Sequence, residues 1–404
     1  MFSGADTAWV LVSTALVVLM TPALGLFYGG LVRAKNALNT LLHSLLLLGL
    51  VSLQWALFGY SLAFSPDLGF GLIGGLSWAG LQGVGVEPNP TYAATIPHLA
   101  FMAFQMAFAI ITPALISGAF AERKKFSAFV LFSLLWVTFV YDPVAHWVWA
   151  DGGWLRNLGA LDFAGGTVVH ITSGVSALVC ARVLGKRLDA DEAREAGPHN
   201  AVITLVGAAL LWFGWFGFNA GSALAANGVA AVAFVTTHLA ASAGACTWVL
   251  SHYARTRKIS VVGVGLGGVA GLVCITPAAG FVTPMSAILL GGIAGVVCSW
   301  AVEHMKGWVD DSLDVFGVHG VGGILGALLT GVFASTSLNP AGADGSLHLL
   351  GVQAIAVSAV GAYSAAMTFG ILKLVGLLVD LRVTSAIEKD GLDAAQHGEA
   401  AYRF

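Results

Sequence analysis

Apolar residues fall along this chain in stretches of about twenty or more, separated by short polar links. A helix needs roughly 20 apolar residues to cross the hydrocarbon core of a bilayer. That ruler predicts eleven crossings, at about 8–32, 40–64, 98–120, 126–149, 167–184, 201–222, 229–251, 260–279, 284–303, 317–335 and 347–378. The first is too long for the apolar part of a secretory signal, roughly 7–15 residues, and no basic stretch precedes it. The last is long enough for its end to project beyond the bilayer.

The charges give the crossings a direction. With eleven alternating spans, all but Arg156 of the 18 Lys and Arg residues fall on one side, which the positive-inside rule makes the cytoplasm. The N-terminus is then outside, and the tail from about Asp380 is inside. The expected fold is an all-α polytopic membrane protein. Residues 1–378 form the membrane domain and 379–404 a cytoplasmic tail too short for a core of its own. The long outer link from Ser65 to Pro97 is rich in Gly and Pro and holds no Lys or Arg, whereas the inner loop 185–200 is densely charged.

Composition agrees and excludes. The chain is 57% apolar and 10% charged, where a soluble protein carries roughly a quarter charged residues. It cannot cover a water-facing surface of its own size, which excludes a soluble globular enzyme and a disordered chain. A formal charge of −3 also lacks the basic footprint of a nucleic-acid binder. Glycine is in excess, 52 of 404 residues, and in apolar helices it lets backbones approach closely.

Two segments resemble each other. LDFAGGTVVH (161–170) and LDVFGVHG (313–320) share Leu-Asp, a Phe, Gly and a His near the end, close to the starts of the fifth and tenth spans. Those spans run in opposite directions. This predicts two inverted five-helix halves, about 8–184 and 201–335, with a site at their interface and the eleventh helix, about 347–378, added.

The polar candidates at membrane depth are histidines, and an ionisable residue there is a functional hypothesis by default. His43 and His238 read as helix-packing residues. His170 and His319 occupy equivalent places in the two halves, and facing imidazoles can share one proton while lining a polar track. A second group is aromatic: Phe104, Phe108, Tyr141, Trp147, Trp149, Trp215 and Phe218. By itself it fits either an interfacial belt or a cation–π cage. Asp162 reads as a helix cap or as a cation-attracting group, and Asp310, Asp311 and Asp314 as caps and loop contacts. Cys180, Cys246, Cys274 and Cys298 read as small buried apolar residues. Gly263 to Gly268 fits G-x-G-x-x-G but lies inside a span, so it reads as helix packing rather than nucleotide binding.

At these motifs the chain resembles the ammonium transporter family (Amt/MEP/Rh), on its Amt side. The segments are GLFYGGLVRAKN (25–36), FQMAFA (104–109), SGAFAERKKFSAF (117–129), YDPVAHWVW (141–149), GALDFAGGTVVHI (159–171), WFGFNAGSA (215–223), DDSLDVFGVHGVGG (310–323) and GLDAAQHGEAAY (391–402). The resemblance implies an outer ammonium recruitment site at Phe108, Trp149 and Ser222, and a gate of Phe108 stacked on Phe218. It implies a pore lined by the twin histidines His170 and His319 with Trp215, and a structural acid at Asp162. It further implies a homotrimer in the cell membrane of a bacterium or archaeon, in contact with membrane lipid and without a cofactor. A PII-type signalling protein would dock on the cytoplasmic face, with Asp393, His397, Gly398 and Glu399 marking the regulatory tail. The rival readings are an ammonium sensor, which would keep the cage and could lose the histidine pair, and a passive ammonia channel of the Rh kind. A membrane enzyme is disfavoured, as no nucleophile–base–orienter set is evident.

Overall fold

The computed structural model describes residues 2–402. Arg403, one of the predicted inner-side cations, and Phe404, the end of the predicted tail, lie outside the described residues. Ten helices among those described are long and apolar enough to cross a membrane. They are α1 (Gly4–Leu31), α2 (Ala34–Phe64), α3 (His98–Phe120), α4 (Phe126–Leu158), α5 (Gly166–Leu184), α6 (Ala201–Ala220), α7 (Gly228–Thr256), α9 (Pro284–Met305), α10 (Phe316–Phe333) and α11 (Leu347–Leu378). Between α7 and α9 lies α8 (Val261–Ile275), an apolar helix of 15 residues. At 1.5 Å per residue it rises about 23 Å, short of a hydrocarbon core of about 30 Å. The predicted stretch 260–279 stops being helical at this point because Pro277 has no N–H to continue the ladder; turns carry the chain on to Phe281.

The helix starts are written locally. Ser3, Asn200, Asn227, Ser260, Thr283 and Ser346 each accept a hydrogen bond from the backbone N–H three residues on, opening α1, α6, α7, α8, α9 and α11. The 65–97 link carries a small two-stranded ribbon, Pro88–Asn89 against Ala93–Pro97. Glycine sets the closest helix contacts. A Cβ on Gly271 of α8 or Gly291 of α9 would lie 2.2 and 2.0 Å from the Ala240 carbonyl oxygen of α7, so these three helices meet backbone to backbone. Gly267 meets Gly244 in the same way, so the Gly263–Gly268 run is a packing seam.

Five of the membrane helices contain a π-helical turn: Trp55–Gly59, Val137–Tyr141, Gly166–Ile171, Phe216–Ala220 and Phe316–Gly320. Such turns are rare and gather at functional sites, because one widened turn re-aims a side chain and frees backbone groups. The last three hold His170, Phe218 and His319. One expectation needs correction: Cys246 is exposed on α7, unlike the other three cysteines. His238 lies on the exposed side of α7 and packs against the rings of Trp212 and Phe216 of α6. His43 is buried between Phe120, Phe126 and Phe129, as a packing histidine should be.

Candidate functional site

Two cavities follow one another along α3. The first opens on the face opposite the C-terminal tail, has a volume of about 210 Å³, and is lined by Phe104, Phe108, Trp149 and Ser222 among others. Phe104 and Phe108, one turn apart on α3, have ring centroids 5.0 Å apart. Trp149 stands perpendicular to Phe108, 5.9 Å away at 89°. Its indole is fixed by donating to the Asp162 carbonyl at 2.9 Å. The Ser222 hydroxyl donates to the Phe218 carbonyl at 2.8 Å, which commits its proton and leaves the oxygen lone pairs as acceptors. A small cation would therefore meet two ring faces and one oxygen.

Gln105 and Arg156 also line this cavity, and the sequence reading singled out neither for it. The Gln105 amide oxygen is buried without a partner. The signal was available, since Gln105 is the polar residue inside FQMAF, but attention to the rings passed over it.

Phe218 separates the two cavities. Its ring packs on Phe108 at 4.3 Å and, on the other side, on His170 at 6.0 Å. Beyond it lies a space of about 10 Å³ bounded by His170, His319, Trp215 and Phe218 with apolar residues of α1, α3 and α8. That is about the room one water-sized molecule needs. The two imidazoles meet Nδ1 to Nδ1 at 3.3 Å, with 1% and 4% exposure. One ring must donate and the other accept, so the neutral pair holds its tautomers in opposite senses. The His170 Nε2 is buried without a partner. Trp215 stacks on His170 at 5.5 Å and is anchored by donating to the Thr276 hydroxyl at 2.9 Å. The contact depends on glycine: a Cβ on Gly174 would lie 2.2 Å from the Gly320 nitrogen. Tyr141, Trp147 and His43 lie elsewhere. Trp147 donates to the Leu72 carbonyl and packs on Tyr363, while Tyr141 packs on Trp55.

Asp162 is a cap for all the free N–H groups at the start of α5. Its Oδ1 accepts from Gly165 and Gly166 at 2.8 and 2.7 Å, and its Oδ2 from Thr167 and Val168 at 2.8 and 3.1 Å. Its counterpart before α10 is Asp311, whose carboxylate accepts from the Phe316 N–H at 2.7 Å. Asp162 to Thr167 and Asp311 to Phe316 are both five-residue steps. The same offset of 149 residues that relates the two histidines relates the two acids. It also pairs Gly165 with Asp314, both in the left-handed region at φ 108° and 59°. The sequence comparison matched Asp162 with Asp314, three residues out of register. The physical reason is that the cap-to-histidine spacing, rather than the Leu-Asp pair, is what recurs.

Asp162→Ala leaves four N–H groups without an acceptor beside the site. At about 1–3 kcal/mol for each buried group left unsatisfied, folding should suffer severely. Thermal melting in detergent should fall by several degrees at least, with Asp162→Asn, which keeps one acceptor oxygen, in between. Equal melting for wild type and Asp162→Ala would show that the cap is dispensable.

On the tail face, Glu122 is 1% exposed and accepts from the Arg33 backbone N–H and Nε at 2.9 Å each, from Asn36 at 2.9 Å and from Arg187 at 2.7 Å. Arg187 also forks onto Asp310, where Arg194 adds a contact at 3.1 Å, and Arg33 pairs with Asp189. The tail docks beside this network. The Asp393 carboxylate accepts from the Leu38 and Asn39 N–H groups at 3.0 and 2.8 Å, and His397 contacts Asn39 at 2.9 Å. Gly398 takes a left-handed φ of 68°, and it and Glu399 are exposed.

Comparison with known proteins gives one family throughout. The sequence profile of the Ammonium Transporter Family matches residues 8–402. An ammonium transporter of Bacillus subtilis strain 168 is 53% identical over 405 residues, 98% of each chain. Among solved structures, Saccharomyces cerevisiae Mep2 is similar at TM-score 0.88 and 38% identity, over 95% of this chain and 88% of that one. A protein described as a sensor Amt protein is similar at TM-score 0.88 and 30% identity, over 97% and 98%.

Proposed function

The chain belongs to the ammonium transporter family, and on that premise we propose that it carries ammonium across a cell membrane as ammonia and a proton. The reading rests on the His170–His319 contact in a space for one small molecule, sealed by Phe218 beneath a cavity with aromatic walls. Ammonium is recruited from the outer side at Phe108, Trp149 and Ser222, where each ring face contributes about 0.5–2 kcal/mol. That is too little to replace a full hydration shell, so the bare cation stops at the Phe108–Phe218 gate. Ammonia, having given up its proton, is neutral and small enough to pass. Beyond the gate it accepts or donates a hydrogen bond at the imidazole pair, with Trp215 as the wall. The proton that ammonium releases passes to the neutral imidazole pair of His170 and His319 and is handed on inward, so that transport is electrogenic and gains about 2.3 kcal/mol per charge per 100 mV.

The same proposal takes α8 and the turns after it as the eighth of eleven crossings, with the N-terminus out and the tail in, as the placement of Lys and Arg supports. The recurrent 149-residue offset supports two inverted halves meeting at the histidines. Assembly as a homotrimer and docking of a PII-type protein at the tail complete the reading. A sensor would need only the outer cage, and the paired histidines favour transport.

The test is the current evoked by an ammonium pulse on proteoliposomes adsorbed to a solid support. A current with ammonium and none with potassium is expected; binding without current or internal alkalinisation would turn the reading to a sensor. Ser222→Ala removes one acceptor for a cationic donor, worth about 1.5–3 kcal/mol. The half-saturating ammonium concentration should rise roughly tenfold or more with the maximal current little changed. An unchanged half-saturation would exclude Ser222 from recruitment.

A further inference from the structure

We propose that the groove between the tail-face ends of α5 and α11 binds one anionic phospholipid from the inner leaflet. The groove has a volume of about 400 Å³. Its wall is Leu178, Val179 and Val183 of α5 with Phe369 of α11, and its rim is Arg182 and Trp308. The wall is apolar and open, with Phe369 half exposed and Trp308 72% exposed. An acyl chain is the occupant such a wall accepts, and an indole at the end of a span lies at headgroup depth, where tryptophans concentrate. Trp308 follows α9 by three residues, and Arg182 precedes the end of α5 by two.

The charges select the headgroup. Arg182 is exposed and makes no hydrogen bond or ion pair among the described residues. Lys373, one turn beyond Phe369 on α11, has its ammonium 5.2 Å from the Phe369 ring centroid and no carboxylate partner among the described residues. Lys186 adds a third exposed cation just past α5. Glu303 pairs with Lys306, Asp310 with Arg187 and Arg194, and Asp380 with Lys125, so these three carboxylates do not neutralise the rim. The rim thus gathers Arg182, Lys186 and Lys373 beside an apolar groove. Basic pockets between spans on the cytoplasmic side recognise anionic lipid headgroups. A lipid with a cationic headgroup would set its own ammonium against these side chains.

Native mass spectrometry of the delipidated, folded protein tests this, titrating phosphatidylglycerol and phosphatidylcholine of the same chains. Wild type is expected to bind one phosphatidylglycerol per chain about tenfold more tightly than phosphatidylcholine. The double variant Arg182→Gln, Lys373→Gln should lose that preference, and Trp308→Ala should weaken both lipids. Equal affinity for the two lipids, or a double variant that keeps the preference, overturns the proposal. So does full competition by glycerol phosphate, which would make the rim a site for soluble phosphate. Ammonium currents on the same preparations report separately on the transport reading, so that loss of either leaves the other legible.

Discussion

Proteoliposomes carrying the double variant His170→Ala, His319→Ala should lose the ammonium-evoked current by at least an order of magnitude while the protein remains folded. His170 and His319 line the inner cavity, whose other walls are aromatic and aliphatic. On the proposed route, removing both rings deletes the hydrogen-bond partners that would compensate ammonia for its lost water, each worth about 0.5–1.5 kcal/mol. It also deletes the titratable groups that, among the described residues, line that space and would carry the proton. Melting should change less than for Asp162→Ala, because the 3.3 Å contact holds no helix end in place. Single variants distinguish roles. His170 stacks on Trp215 and Phe218 and presents the unpartnered Nε2, so His170→Ala should also loosen the Phe218 ring in the proposed gate. His319→Ala should leave recruitment at Phe108 and Trp149 untouched. A double variant with wild-type current and unchanged exclusion of potassium would remove the pair from the mechanism.

That these two histidines meet was legible before any coordinates, because each stands near the start of an apolar span beside glycine and falls in a segment that resembles the family's twin-histidine motif. Ten of the eleven expected spans were legible too, since their length is set by the bilayer. What escaped was decided by tertiary geometry. The π-helical turns under His170, Phe218 and His319 have no sequence signature, as they depend on what the widened turn packs against. The shortness of α8 was readable in principle, because Pro277 lay inside the predicted stretch. The repeat was found but three residues out of register, since identity of letters drew the eye to Asp314 while the cap that recurs is Asp311. The charged links were misjudged most. Counting Arg33 and Arg187 as inner-side cations served the expected orientation, yet gave no hint that both converge on one buried glutamate.

That glutamate carries the second large expectation. Glu122→Ala should destabilise the protein by about 3–5 kcal/mol, the usual cost of removing one partner from a buried ion network. Arg33 keeps Asp189 and Arg187 keeps Asp310, but each loses a carboxylate it met in a buried setting, and Asn36 loses its acceptor. Asn36 also accepts from the Leu392 N–H, so the loss should reach the tail and be read as faster amide exchange at residues 392–397. The acid limb gives an independent check. Arg33 and Arg187 hold the Glu122 carboxyl at about 2, below its ordinary value of 4.5, against the opposing effect of burial. A carboxyl with a lowered folded value stabilises above its unfolded value, and that stability drains away as pH falls from about 4.5 toward about 2. The shift corresponds to about 3 kcal/mol. Wild-type melting temperature should therefore fall steeply across that window, and the fall should be much shallower in Glu122→Gln, which keeps the shape and loses the titration. Parallel acid limbs in the two proteins would mean that the network's electrostatic strength lies in Asp310, whose carboxyl Arg187 and Arg123 also hold down at about 2.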